Sequence, residues 1–123
     1  MRLQSIVEQM SIRPDDVILE IGCGHGVAAG LICGRLSDGH LVAIDRSTKM
    51  IAAAMRRNER HVASGKAEFH VVELSDFDPG DRKFDKILAV RVGLFHREPG
   101  RARSIVERWL APGGKLFALF DEP

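Results

Sequence analysis

The chain has 123 residues, 45% of them hydrophobic and 28% charged, with 18 Lys and Arg against 17 Asp and Glu. That length supports one domain with a real core and excludes a second catalytic domain. The near-zero charge balance offers nothing to a nucleic acid or an acidic membrane surface, no apolar run is long enough to span a bilayer, and "MRLQSIVEQMSIRPDD" is charged where a signal peptide needs an apolar core. A cytoplasmic protein is therefore expected, with its two cysteines as reduced thiols.

Leu3, Ile6, Val7 and Met10 recur at helical spacing and predict an amphipathic helix over the first ten or so residues, stopped by Pro14 and the Asp15-Asp16 turn. "VILEIG" is a short β-branched run ending at glycine, the pattern of a buried strand. A compact helix "VAAGLICGRL", a turn "SDGH" and a second strand "LVAID" follow. Ser47 is placed to cap a single helix, "TKMIAAAMRRNERHVA", which Gly65 closes. "AEFHVVE" predicts a third strand, "DPGD" a turn and "FDKILAV" a fourth strand. "RVGLFHREPG" reads as a loop. Pro99 and Gly100 then precede a helix, "RARSIVERWL", which Pro112-Gly113-Gly114 terminates before a fifth strand, "KLFALF". Alternating strands and helices imply parallel βαβ crossovers. The expected architecture is an α/β, Rossmann-like doubly wound parallel sheet of about five strands with helices on both faces and a ligand site at the strands' carboxyl ends.

The stretch "LEIGCGHG" admits two chemistries. Cys23 and His25, with Cys33 further on, are soft metal ligands by type. A zinc site needs four ligands, or three and a water, and no second pair accompanies them, while Leu31 and Ile32 mark Cys33 as a buried apolar thiol; no metal is expected. Gly22, Gly24 and Gly26 instead fall in the turn after the first strand, where glycines admit positive φ and let a ligand approach the backbone. No Gly-Lys-Ser/Thr follows, which excludes a phosphate-binding P-loop, and position six counted from Gly22 is Val27, which breaks the dinucleotide G-x-G-x-x-G. Glu20 before the glycines and Asp45 at the end of the second strand complete a constellation on consecutive strand ends. An acid at Asp45 is placed to accept from both hydroxyls of a ribose.

On these residues the chain resembles the class I S-adenosylmethionine-dependent methyltransferases, of the small-molecule type. "VILEIGCGHG" is similar to their first motif, "LVAIDRSTKM" to their second strand and the helix start after it, "FDKILAV" to their fourth strand and "WLAPGGKLFALFD" to their Leu-x-Pro-Gly-Gly turn and fifth strand. The resemblance implies the strand order 3-2-1-4-5 and S-adenosyl-L-methionine as cofactor. By the same resemblance Gly22, Cys23, Gly24 and Gly26 line the cofactor, Glu20 orients the loop from beneath, Asp45 holds the ribose diol, and Arg46 and Met50 flank the adenine. Glu73 and Leu74 would meet the adenine edge, with Val90 at the end of the fourth strand; the other reading of Glu73 is a solvated strand-end charge.

On the acceptor side, His96 and Arg91 are the candidate catalytic or anion-binding residues of "RVGLFHREPG", each alternatively an ordinary surface residue. His25 and His40 read as loop residues, His61 as part of the solvated face "RRNERH", and Trp109 as packed beneath the sheet. The resemblance also implies a further helix and two strands beyond "LFDEP", so the single domain over 1–123 is expected to be incomplete. Leu116, Phe117, Leu119 and Phe120 would leave a fifth strand open to self-association or a partner. The activity expected is methyl transfer to a small-molecule acceptor. The alternatives are a non-catalytic module that binds S-adenosylmethionine or S-adenosylhomocysteine, and a nicotinamide-dependent oxidoreductase, which the glycine spacing disfavours.

Overall fold

The computed structural model describes residues 2–119. Five parallel strands form one sheet in the order β3-β2-β1-β4-β5, as expected: β1 Val17–Ile21, β2 His40–Asp45, β3 Ala67–Val71, β4 Phe84–Val90 and β5 Leu110–Leu119. The helices are α1 Leu3–Gln9, α2 Val27–Cys33, α3 Thr48–Arg57, α4 Glu59–Ala63, α5 Gly93–Arg97 and α6 Pro99–Glu107.

Strand alternation sends side chains to two separate cores. Ile18, Leu41, Ala43 and Leu88 face α1, α2 and α3, where they meet Ile6, Ala29, Ile32, Ile51 and Ala54. Leu19, Ile21, Val42, Ile44 and Ile87 face the opposite way and pack with Val106 of α6, Leu74 and Trp109. Trp109 is almost completely buried, and its ring meets Phe77 edge-on at 5.4 Å. Along β5, Leu116 joins the second core while Phe117 and Leu119 join the first. The expected two-faced strand is thus present over its described part, and Phe120 lies outside the described residues. Among those residues β5 is an outer strand hydrogen-bonded to β4 alone.

Several boundaries differ from those read in the sequence. The first helix ends at Gln9, ahead of Pro14, with Ser11 at φ 51° turning the chain. The run "TKMIAAAMRRNERHVA" is not one helix. It breaks at Asn58, which is 3% exposed and whose side-chain amide donates to the carbonyls of Gly26 (3.0 Å) and Ala54 (2.9 Å). That contact, between positions 32 residues apart, overrides a continuous helical pattern. Ser47 caps α3 as expected, accepting from the Met50 N–H at 3.2 Å. The expected loop at 91–100 contains α5, and Pro99 and Gly100 belong to α6 rather than preceding it, with Pro99 in the first turn where its missing N–H costs nothing. Pro112-Gly113-Gly114 lies inside β5, not between a helix and a strand. There the register against β4 shifts, and a Cβ on Gly114 would stand 2.9 Å from the Phe84 carbonyl. His40 is not in a loop: it opens β2 and bridges the Gly65 carbonyl (2.9 Å) and Glu68 (2.8 Å).

Candidate functional site

All five strands run the same way, so their carboxyl ends gather at one end of the sheet, and the strand order reverses beside β1. A ligand crevice belongs at such a switch point. A cleft of about 450 Å³ opens there, lined in sheet order by Val72, Glu73, Leu74 and Ser75 after β3, Ile44, Asp45 and Arg46 at the end of β2, Gly22 after β1, and residues between Val90 and Arg101 that run from β4 into α6.

The glycine loop leaving β1 is held before any ligand arrives. The N–H groups of Gly22 and Cys23 both donate to the Ile44 carbonyl, at 2.8 and 3.0 Å. Asp45 then accepts from Gly24 N–H through Oδ2 and from Ser47 N–H through Oδ1, each at 2.9 Å. One carboxylate therefore joins the β1–α2 turn to the start of α3. Each of its oxygens retains a lone pair for a further donor.

The three glycines serve different ends. All have positive φ, at 73°, 55° and 88° for Gly22, Gly24 and Gly26. A Cβ on Gly24 would meet nothing within 4 Å, so that position faces open space and its glycine answers to the positive φ alone. A Cβ on Gly26 would stand 2.6 Å from the Asn58 amide nitrogen and 3.0 Å from Ala54, so glycine there is required by the packing of α2 against α3.

Glu20 sits beneath this loop. In the sheet it lies beside Ala43 and Leu88, so its side chain points into the first core among groups that offer it no donor. It is 5% exposed, and its Oε1 has no hydrogen-bond partner among the described residues. Burial, with the neighbouring Asp45 charge adding to it, pushes its carboxyl up to about 8. Burial, reinforced by Glu20 and Asp45, likewise pushes the Cys23 thiol well above its usual range, and burial raises Cys33 to about 11; both are free thiols packed in the first core. Among the described residues no three His, Cys, Asp or Glu side chains are grouped to hold a metal ion.

Of the residues singled out in the sequence, the cleft gathers Gly22, Asp45, Arg46, Glu73, Leu74, Val90 and Arg91. Arg91 adopts φ 57°, unusual for a side-chain-bearing residue, and its N–H donates to the Leu119 carbonyl at 2.8 Å. Glu20, Cys23, Gly24, Gly26, Met50 and His96 do not line the cleft. Met50 is 42% exposed on α3 and His96 lies on α5. Residues that sequence reasoning missed, among them Val92, Gly93, Leu94, Arg97, Glu98 and Arg101, also line the cleft. The only local signal for them was Gly93 standing four residues before Arg97.

A family profile described as "Methyltransferase domain" matches residues 18–114, from the start of β1 into β5. The chain belongs to the methyltransferase domain family. This methyltransferase domain is 33% identical over 117 residues to phosphoethanolamine N-methyltransferase 1 of Arabidopsis thaliana, covering 93% of the chain and 23% of that protein. It is 30% identical over 114 residues to the O-methyltransferase rstn1 of Aspergillus nomiae, covering 92% of the chain and 50% of that protein. The chain thus spans half or less of these curated relatives. Among solved structures, the [4+2]-cyclase SpnF superposes with a TM-score of 0.78 at 27% identity, over 94% of this chain and 42% of that one. A methyltransferase from Thiobacillus denitrificans in complex with S-adenosylhomocysteine superposes with a TM-score of 0.78 at 19% identity, over 93% and 45%. The methyltransferase domain therefore has the class I methyltransferase fold.

Proposed function

We propose that this chain is the cofactor-holding domain of a cytoplasmic S-adenosylmethionine-dependent methyltransferase acting on a small molecule. The observation that carries the reading is Asp45 at the end of β2. It keeps one lone pair on each oxygen beside the cleft, which suits two ribose hydroxyls. S-adenosylmethionine carries such a ribose diol. The cytoplasmic part of the reading is supported by the two free cysteines; among the described residues no helix is long and apolar enough to cross a membrane.

When bound, the cofactor supplies an electrophilic methyl group on a sulfonium. The chain's own residues bind and orient. Gly22 and Gly24 bring backbone close, Asp45 fixes the sugar, and Glu73 and Leu74 on the segment after β3 meet the adenine edge. Val90 and Arg91 bound the side from which an acceptor approaches. Alignment and exclusion of water are the main demands of such a transfer, and a dedicated base is optional, called for only where the acceptor is a weak acid.

The fold also occurs in a protein named a [4+2]-cyclase, which favours keeping a second reading, a module that binds the cofactor without transferring its methyl group. Calorimetric titration with S-adenosylhomocysteine and with NAD tests the common core of both. Saturable binding of the first alone is expected, and silence for both overturns the cofactor assignment. Asp45→Ala should weaken that binding by about 1–3 kcal/mol, the cost of removing one side of a buried polar contact; unchanged affinity would remove Asp45 from the site. Labelled methyl transfer to a panel of small acceptors then separates enzyme from module.

A further inference from the structure

We infer that the methyl acceptor carries an anionic oxygen group, a phosphate or a carboxylate, held by Arg97 and Arg101 at the α5–α6 junction. The inference rests on reading the cleft as a methyl-transfer site. Both arginines line that cleft. They stand four residues apart, Arg97 closing α5 and Arg101 in the first turn of α6.

Arg97 is seated, not free to sweep. Its guanidinium lies against the Cα of Gly93, with Cζ 3.2 Å and Nη2 3.5 Å from the place a Cβ would take, and Nη1 in closer contact still. Any residue but glycine at position 93 would displace it. Among the described residues Arg97 makes no ion pair, so its planar set of donors is available to an oxyanion. Arg101 meets Glu98 at 3.5 Å, with the two side chains 59% and 52% exposed, a contact too long and too wet to compete strongly with a bidentate anion.

The acids of the cleft do not outnumber its bases. Asp45, Glu73 and Glu98 line it together with Arg46, Arg91, Arg97 and Arg101; Asp45 accepts from Gly24 and Ser47, and Glu73 lies on the segment after β3. Anchoring an anionic group away from the reacting atom would supply the binding energy that aligns the acceptor with the methyl group.

The test titrates inorganic phosphate and, separately, acetate into the full chain saturated with S-adenosylhomocysteine, followed by calorimetry and by the arginine side-chain NMR signals. Saturable binding of at least one is expected, with the tighter of the two distinguishing a phosphate from a carboxylate acceptor. Arg97→Gln and Arg101→Gln should each weaken it about tenfold, the scale of a lost charge-assisted contact. Gly93→Ala, which keeps both charges and only moves the Arg97 guanidinium, should weaken it less, and all three should leave affinity for S-adenosylhomocysteine unchanged. The inference is overturned if the anions do not saturate, if the double variant binds them as well as the parent, or if the arginine variants lose S-adenosylhomocysteine itself, which would assign them to the cofactor. Failure of the parent chain to bind S-adenosylhomocysteine would instead bring down the underlying reading of the cleft, and this inference with it.

Discussion

The two ends of the sheet solve the problem of buried charge in opposite ways. At the amino ends of β1 and β4, Asp16 and Lys86 are nearly inaccessible and pair with each other, Asp16 also accepts from Arg13 N–H at 2.8 Å, and Asp85 accepts from Val17 N–H at 2.8 Å. At the carboxyl ends Glu20 is as deeply buried as Asp16, yet one of its oxygens has no donor among the described residues. The strands are the same, and so is the depth. A closed polar network secures the fold at one end, while at the other a buried carboxyl oxygen is left unpaired among the described residues.

Breaking the closed end should have the largest effect. Lys86→Met strands a buried carboxylate and should cost about 3–5 kcal/mol. Urea unfolding would show it as a lower midpoint with an unchanged slope, and a loss near zero would mean that the pair is not what holds β1 against β4.

The open end should respond in the opposite sense. The Glu20 pKa rises from 4.5 to about 8 on folding, so the folded state holds the proton more tightly. Its contribution is full below about pH 4.5 and is lost as pH rises toward 8. Asp45 and the Cys23 and Cys33 thiols are the titratable neighbours that interact with it. Glu20→Gln copies the neutral form and should remove that decline, visible as a gain of at least about 4 °C in Tm over the parent at pH 8 relative to pH 5. Parallel profiles for parent and variant would show that Glu20 is ionised in the ligand-free protein.

The smallest effect sharpens the contrast at a partly exposed site. Burial alone would push Glu68 up, but hydrogen bonds from His70, His40 and Arg82 outweigh it and hold its carboxyl down at about 2. The stabilisation is present above about pH 4.5 and fades as pH falls toward 2. Because these groups are largely solvated, Glu68→Gln should cost no more than about 1 kcal/mol at neutral pH. A larger loss at neutral pH would place this cluster with the buried pair at Lys86.

The strands were legible because each is a short apolar run closed by glycine, acid or turn residues, and that pattern is local. Asp45 was legible for the same reason: it ends such a run two residues before a helix cap. The break at Asn58 was not, since its cause is the carbonyl of Gly26 on another element. Nor was the double use of Asp45, whose partner Gly24 lies 21 residues earlier. Helix α5 is too short to carry a period, and Arg97 and Arg101 acquire their position only from the topology that folds α5 and α6 across the strand ends. Gly26 illustrates a subtler limit: its glycine was read as serving a ligand, while its nearest constraint is a neighbouring helix.

Because Asp45 ties Gly24 and Ser47 together within the protein itself, the loop's share of ordering entropy is met during folding and not at the moment of encounter. A ligand arriving at the strand ends finds its seat already shaped. The free energy of whatever contacts form there is then not drawn on to arrange this loop.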